Sequence, residues 1–266
     1  LNGIGNAANK TLDGNSGDNS LLGGAGDDRL NGMMGVDTME GGLGSDLYTV
    51  DNIADVVIEL ADEGIDFVNS SVNYSLSANV ERLFLTGTAN LNGTGNALHN
   101  TIYGNSGDNI LNGGDGNDTL NGQAGHDTLD GGLGNDNLKG GLGNDSYLFG
   151  LNAGQDAIDN TDAGNGNDRV LLGAGVSADQ VWLRQVANSL EVSIIGTNDR
   201  LLIADWYTTP AKQVDSFELS NGAVLLAAEV QTLVTAMAAF APPTLGNTSL
   251  NTAQHAALDN VITVSW

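Results

Sequence analysis

Aspartate recurs at every ninth residue in two runs, Asp28, Asp37, Asp46 and Asp118, Asp127, Asp136, Asp145, and Asn19 and Asn109 stand one period ahead of them. Each is preceded by two glycines, five and two residues earlier: Gly23 and Gly26 before Asp28, Gly41 and Gly44 before Asp46. In the second run the pairs are Gly113 with Gly116, Gly122 with Gly125, Gly131 with Gly134, and Gly140 with Gly143. A large apolar residue follows each of these nine Asp and Asn two places on, from Leu21, Leu30, Met39 and Tyr48 to Leu111, Leu120, Leu129, Leu138 and Tyr147. Carboxylates at a fixed period, beside glycines that leave their carbonyls uncovered, are a ligand set for a hard divalent cation. Calcium takes six to eight such oxygens at about 2.3–2.6 Å, whereas magnesium wants a smaller octahedron and its waters. Zinc does not suit a chain with no Cys and three scattered His.

The period dictates the elements that must hold these groups. A nine-residue unit with one apolar position buries that side chain only by stacking on its neighbours, which is the logic of a solenoid. Positions seven to nine read as a short strand with one side chain inward. The six before them must reverse the chain, and glycine supplies the backbone freedom. Two units make one flattened coil, so units eighteen residues apart share an edge, where carboxylates stack about 4.7–4.9 Å apart. Such repulsion needs a counter-charge. Nine units keep the first and fourth glycines and the eighth-position apolar residue, and seven carry Asp at position six. That retention of phase argues against a flexible Gly/Asn/Asp-rich linker, and the in-phase Asp argue against a metal-free solenoid.

The pattern GGxGxDxUx resembles the haemolysin-type, or RTX (repeats in toxin), calcium-binding nonapeptide of secreted bacterial proteins, most strongly over 14–51 and 95–150. The resemblance implies ions held between turns eighteen residues apart by position-six side chains and turn carbonyls. It pairs Asp28 with Asp46, Asp118 with Asp136, Asp127 with Asp145, Asn19 with Asp37 and Asn109 with Asp127, hence about five calcium ions, one per pair. Departures fall at Asn15, Met33, Asn105 and Gln123 for the second glycine, and at Val36 and His126 in position five.

The expected fold is all-β: a right-handed parallel β-roll in two calcium-binding blocks, 1–51 and 91–150, joined by a β-solenoid spacer, 52–90, without calcium motifs. In the spacer the inward candidates are Val56, Ile58, Phe67, Val72, Tyr74, Leu76, Leu83 and Leu85. Glu59, Asp66 and Glu81 read as solvated acids rather than ligands. Residues 163–170 read as one decayed repeat with a candidate site at Asp168. A β-rich cap over 151–241 closes the open solenoid end. Within it Trp182, Trp206 and Tyr207 read as core rather than as a sugar-stacking platform, and 227–240 read as one short helix stopped by Pro242-Pro243. The tail, 242–266, ends in an acid followed by alternating apolar residues. It resembles the uncleaved C-terminal signal read by type I secretion machinery, or else a last β-strand.

Lys plus Arg total 8 against 33 Asp plus Glu, a net charge of −25, which argues against nucleic acid and anionic membranes as partners. No apolar run approaches the ~18–20 residues of a transmembrane helix, and no signal-peptide pattern opens the sequence. Residues 1–31 match 91–121 at twenty of thirty-one positions, so the chain opens inside a repeated module on Leu1. It reads as the C-terminal region of a longer extracellular or cell-surface protein. No HExxH, GxSxG or P-loop pattern is present, so no enzyme activity is expected. The expected function is a calcium module that folds after type I secretion. The alternatives are a calcium-dependent structural or adhesive part, self-associating or holding surface polysaccharide, and a non-catalytic module of a secreted enzyme or toxin.

Overall fold

A computed structural model describes residues 2–161 and 166–266. Its strands form three sheets of four, twelve and eight strands, parallel throughout the solenoid and antiparallel only in the cap. Stacking follows the apolar period. In the twelve-stranded sheet Leu12, Leu30, Tyr48, Val68, Leu83, Ile102, Leu120, Leu138 and Ile158 are register partners in succession. On the opposite face run Gly3, Leu21, Met39, Val57 and, separately, Tyr74, Gly93, Leu111, Leu129, Tyr147, Val170, Phe217. From Leu30 to Ile158 every residue of the first column is buried. Each inward Leu or Val is worth about 1.5–3 kcal/mol of burial, so a coil is held by two such residues and its neighbours.

The strands are longer than positions seven to nine. Ile110–Asp115, Thr119–Ala124, Thr128–Leu133 and Asn137–Leu142 run on into the next turn, where Gly114 pairs with Gly132. Gly116, with φ at +126°, then turns the chain in the left-handed region that glycine enters without steric cost. Met33 and Gln123 hold the second position at φ 64° and 78°, so those two units keep the turn despite their side chains.

The spacer continues one face and interrupts the other. The four-stranded sheet ends at Val56–Ile58 and the eight-stranded sheet begins at Tyr74–Ser75, while the twelve-stranded sheet passes straight through. Three inward expectations fail here. Val57, not Val56 or Ile58, is buried, because the eighteen-residue phase carries Met39 onto Val57. Val68 replaces Phe67, because the coil after Tyr48 takes 20 residues (68 − 48) instead of 18. Phe67, Phe84 and Tyr103 instead stack outward along the long sheet, with centroids 6.3 and 5.0 Å apart.

In the cap, Val181–Val186, Ser189–Ile194 and Arg200–Ile203 form an antiparallel meander joined to the solenoid at Gln155–Ile158. Trp182 and Trp206 are buried in its core, Trp206 against Phe217. The helix Ala227–Met237 buries Val230, Leu233, Val234 and Met237, as its spacing predicts. The tail corrects two expectations: it is neither a strand nor without helix. Residues Thr252–Ser265 form a second helix, opened by Asn251, whose side chain accepts from the Ala253 and Gln254 amides. Its buried residues Gln254, Leu258, Ile262 and Ser265 fall at four, four and three, so a helical stripe lay inside the apparent alternation.

Candidate metal centre

All nine position-six residues are buried, none more than 5% exposed. One arrangement repeats. The backbone amide at position six donates to Oδ1 of the residue one coil later: Asp28 to Asp46 at 2.6 Å, Asp118 to Asp136 at 2.7 Å, Asp127 to Asp145 at 2.9 Å. Asn19 donates in the same way to Asp37, and Asn109 to Asp127, both at 2.7 Å. Every pair expected from the eighteen-residue spacing is therefore brought together.

The other carboxylate oxygen is the informative one. Oδ2 of Asp28, Asp37, Asp46, Asp118, Asp127 and Asp136 is shielded from solvent and makes no hydrogen bond. A buried ionised oxygen with no donor is costly, so a row of them calls for a cation. Burial raises Asp37, Asp46, Asp118, Asp127 and Asp136 above the ordinary carboxylate range. Asp118 rises to about 6 and Asp127 to about 7, the next carboxylate along the edge adding to the rise of each. The first-position glycines explain the room beneath. A Cβ on Gly113 would sit 2.2 Å from Asp118 Oδ2 and 2.4 Å from the Gly131 carbonyl oxygen. Any side chain there would push apart a carboxylate oxygen and a carbonyl that face one another. An oxygen-only set of carboxylates and carbonyls fits calcium.

The ladder also runs beyond the repeats, which sequence reasoning missed except at Asp168. The Asp37 amide donates to Asp55, Asp46 to Asp66 and Asp66 to Glu81, so the spacer is not free of the acidic edge. Asp136 leads to Asp156, and Asp145 to Asp168, whose amide in turn reaches Asp215. These acids lie at offsets of 18, 20, 15, 20, 23 and 47 residues, so a nine-residue ruler steps past most of them. Asp168 joins the edge, but its Oδ2 accepts from Asn160 at 2.8 Å. Of the decayed repeat read at 163–170, residues 163–165 lie outside the described residues.

A second ladder runs the opposite way along position five. Asp18 accepts from the Val36 amide, Asp27 from Ser45, Asp108 from His126, and His126 Nδ1 from Asn144 at 2.8 Å. His99 accepts likewise from Asn117. His126 is thus an exposed acceptor that ties its turn to the next. Position six reaches back one coil and position five reaches forward, and each turn is tied on both sides.

Stacked turns that bury a column of carboxylates define a parallel β-roll built around hard cations. A family model of the RTX calcium-binding nonapeptide repeat matches four times, at residues 13–48, 94–129, 113–147 and 122–155, and one of a haemolysin-type calcium binding protein related domain matches 190–229, in the cap. The chain belongs with the RTX calcium-binding repeat proteins.

Proposed function

We propose that this chain is a calcium-triggered folding module of a secreted protein, exported unfolded by type I machinery and folded by calcium outside the cell. The observation that supports it is the column of solvent-shielded Oδ2 atoms without donors, from Asp28 to Asp136. Without cations these carboxylates repel one another in a low-dielectric interior; with them, the same groups become the bonds between coils. Binding free energy is then folding free energy. Extracellular calcium modules bind at about 10⁻⁴–10⁻³ M, which separates cytosol from exterior. The ligands are the position-six side chains with the first- and fourth-position glycine carbonyls of neighbouring turns, about five ions for the five pairs. In this reading the chain is the C-terminal region of a larger extracellular protein and serves its folding rather than catalysis.

Circular dichroism during a calcium titration from chelator to ~10 mM, beyond the extracellular range, tests the reading. A cooperative gain of β signal that magnesium does not reproduce is expected. A fully folded spectrum in chelator would remove the switch and turn attention to a permanently folded adhesive or structural part.

A further inference from the structure

The first block ends at a group of acids that the repeat pattern does not contain. Glu59 and Asp66 lie outside every matched repeat, yet they are 5% and 1% exposed and sit beside Asp46, which is fully buried. One carboxylate oxygen from each of the three lies within 4.8 Å of the others. Each carboxylate is fixed through a single oxygen. Asp46 Oδ1 accepts from the Asp28 amide at 2.6 Å, Asp66 Oδ1 from the Asp46 amide at 2.8 Å, and Glu59 Oε1 from the Tyr48 hydroxyl. The second oxygen of each, Asp46 Oδ2, Glu59 Oε2 and Asp66 Oδ2, is shielded from solvent and has no hydrogen-bond partner. None of the ion pairs among the described residues includes them. Of the basic residues on neighbouring strands, Arg82 holds its guanidinium 4.8 Å from the Phe67 ring centroid, and Arg29, the register partner of Leu47, is exposed and in none of those ion pairs.

The second block supplies the counter-example. There Tyr147 takes the place of Tyr48, and its hydroxyl donates to Asn160 Oδ1 at 2.8 Å. Asn160 Nδ2 then donates to Asp168 Oδ2 at 2.8 Å and to the Gln213 carbonyl at 3.1 Å. A neutral amide closes that end with hydrogen bonds where the first end carries a third carboxylate.

We infer that Asp46, Glu59 and Asp66 form a further calcium site, outside the nonapeptide pattern, that seals the first block against the spacer. Three carboxylates in one buried place carry more charge than a repeat pair, and an oxygen-only set of this spread is bridged by an ion with bonds of about 2.3–2.6 Å. Tyr48 orients Glu59 as an outer partner orients a metal ligand. The site rests on the calcium reading above, but adds one ion that no repeat predicts.

The test counts ions on the full calcium-loaded chain by native mass spectrometry, wild type beside Glu59→Gln and Glu59→Asn. Both variants place an amide where the second block already holds one. The expected result is a wild-type spectrum in circular dichroism and one calcium fewer in each. Folded variants with an unchanged count would overturn the site and leave protons shared among the three acids. Should the variants fail to fold, anomalous scattering from wild-type crystals grown with calcium decides. A peak among Asp46, Glu59 and Asp66 supports the site, and peaks at the repeats alone overturn it. Absence of calcium from the repeats as well would instead sink the parent reading.

Discussion

The two calcium blocks begin alike and finish differently. Both open on an asparagine at position six, Asn19 and Asn109, and both end on a tyrosine at position eight, Tyr48 and Tyr147. Past the tyrosine, the first block meets Glu59 and Asp66 and keeps two carboxylate oxygens without donors. The second meets Asn160, which satisfies Asp168 and passes the chain into the cap by hydrogen bonds alone. The same turn can thus be terminated by charge, which demands an ion, or by an amide, which does not. With the ion inferred above, the joint between the first block and the spacer would depend on calcium, while at the end that faces the cap Asn160 takes the place of the third carboxylate.

Calcium removal should widen that difference more than any substitution. In chelator, amides of Ser20–Ala25 and Thr38–Leu43 should lose hydrogen-exchange protection by several orders of magnitude, while Ser189–Ile194 and Arg200–Ile203 retain it. Uniform loss, or uniform protection, would erase the distinction between blocks and cap.

Acidification of the calcium-free chain is the next lever. Burial holds Glu59 at about 8, Asp66 at about 7 and Asp127 at about 7 in the folded state, above the ordinary carboxylate range. A folded pKa above the unfolded one contributes stability that is complete below the unfolded value and is lost as pH rises through the folded value. Metal-free protein should therefore melt higher at pH 4 than at pH 8, with most of the change between pH 5 and pH 8. The first-block joint should loosen at the alkaline end of that window, where Glu59 ionises. A flat melting temperature over this range would contradict the burial of these acids as carboxylates.

Asn160→Asp would give the second block a charged terminus like the first. Loss of the Nδ2 donor from Asp168 and Gln213 should cost about 1–3 kcal/mol in thermal unfolding, and added calcium should restore part of it. No rescue by calcium would mean that the amide and the carboxylate ends are not interchangeable. The smallest effect belongs to His126→Ala, which removes one exposed acceptor from Asn144 and should cost about 0.5–1.5 kcal/mol. His126→Asn, matching its neighbours in the ladder, should recover most of that.

How much was legible follows from where the period holds. The position-six acids, the columns of Leu and the partners at eighteen residues were all readable, because each is fixed by a strict spacing of nine. The same spacing already pointed to Val57, but a local alternation of apolar residues pointed to Val56 and Ile58. The ligand-like Glu59 and Asp66 were lost for a different reason. Coils of 20 and 15 residues break the ruler, and only the fold reveals that Tyr48 lies beside Glu59. The position-five ladder left a trace, since Asp, Asn and His dominate it, but polar residues in turns carry no sign of which neighbour they bind. The second helix was masked because Val261, Ile262 and Val264 imitate a strand over too short a stretch for periodicity to decide.

The unbroken twelve-stranded sheet has a mechanical consequence. Its backbone hydrogen bonds point along the stack, so tension between the two ends of the solenoid loads them one coil after another instead of all together. Peeling one eighteen-residue coil would release about 60 Å of extended chain from a layer about 4.8 Å thick. Such a stack yields in small steps of large extension. Ions that bridge successive coils along its edges would then set the force of each step, and the calcium concentration would set the stiffness of the stack.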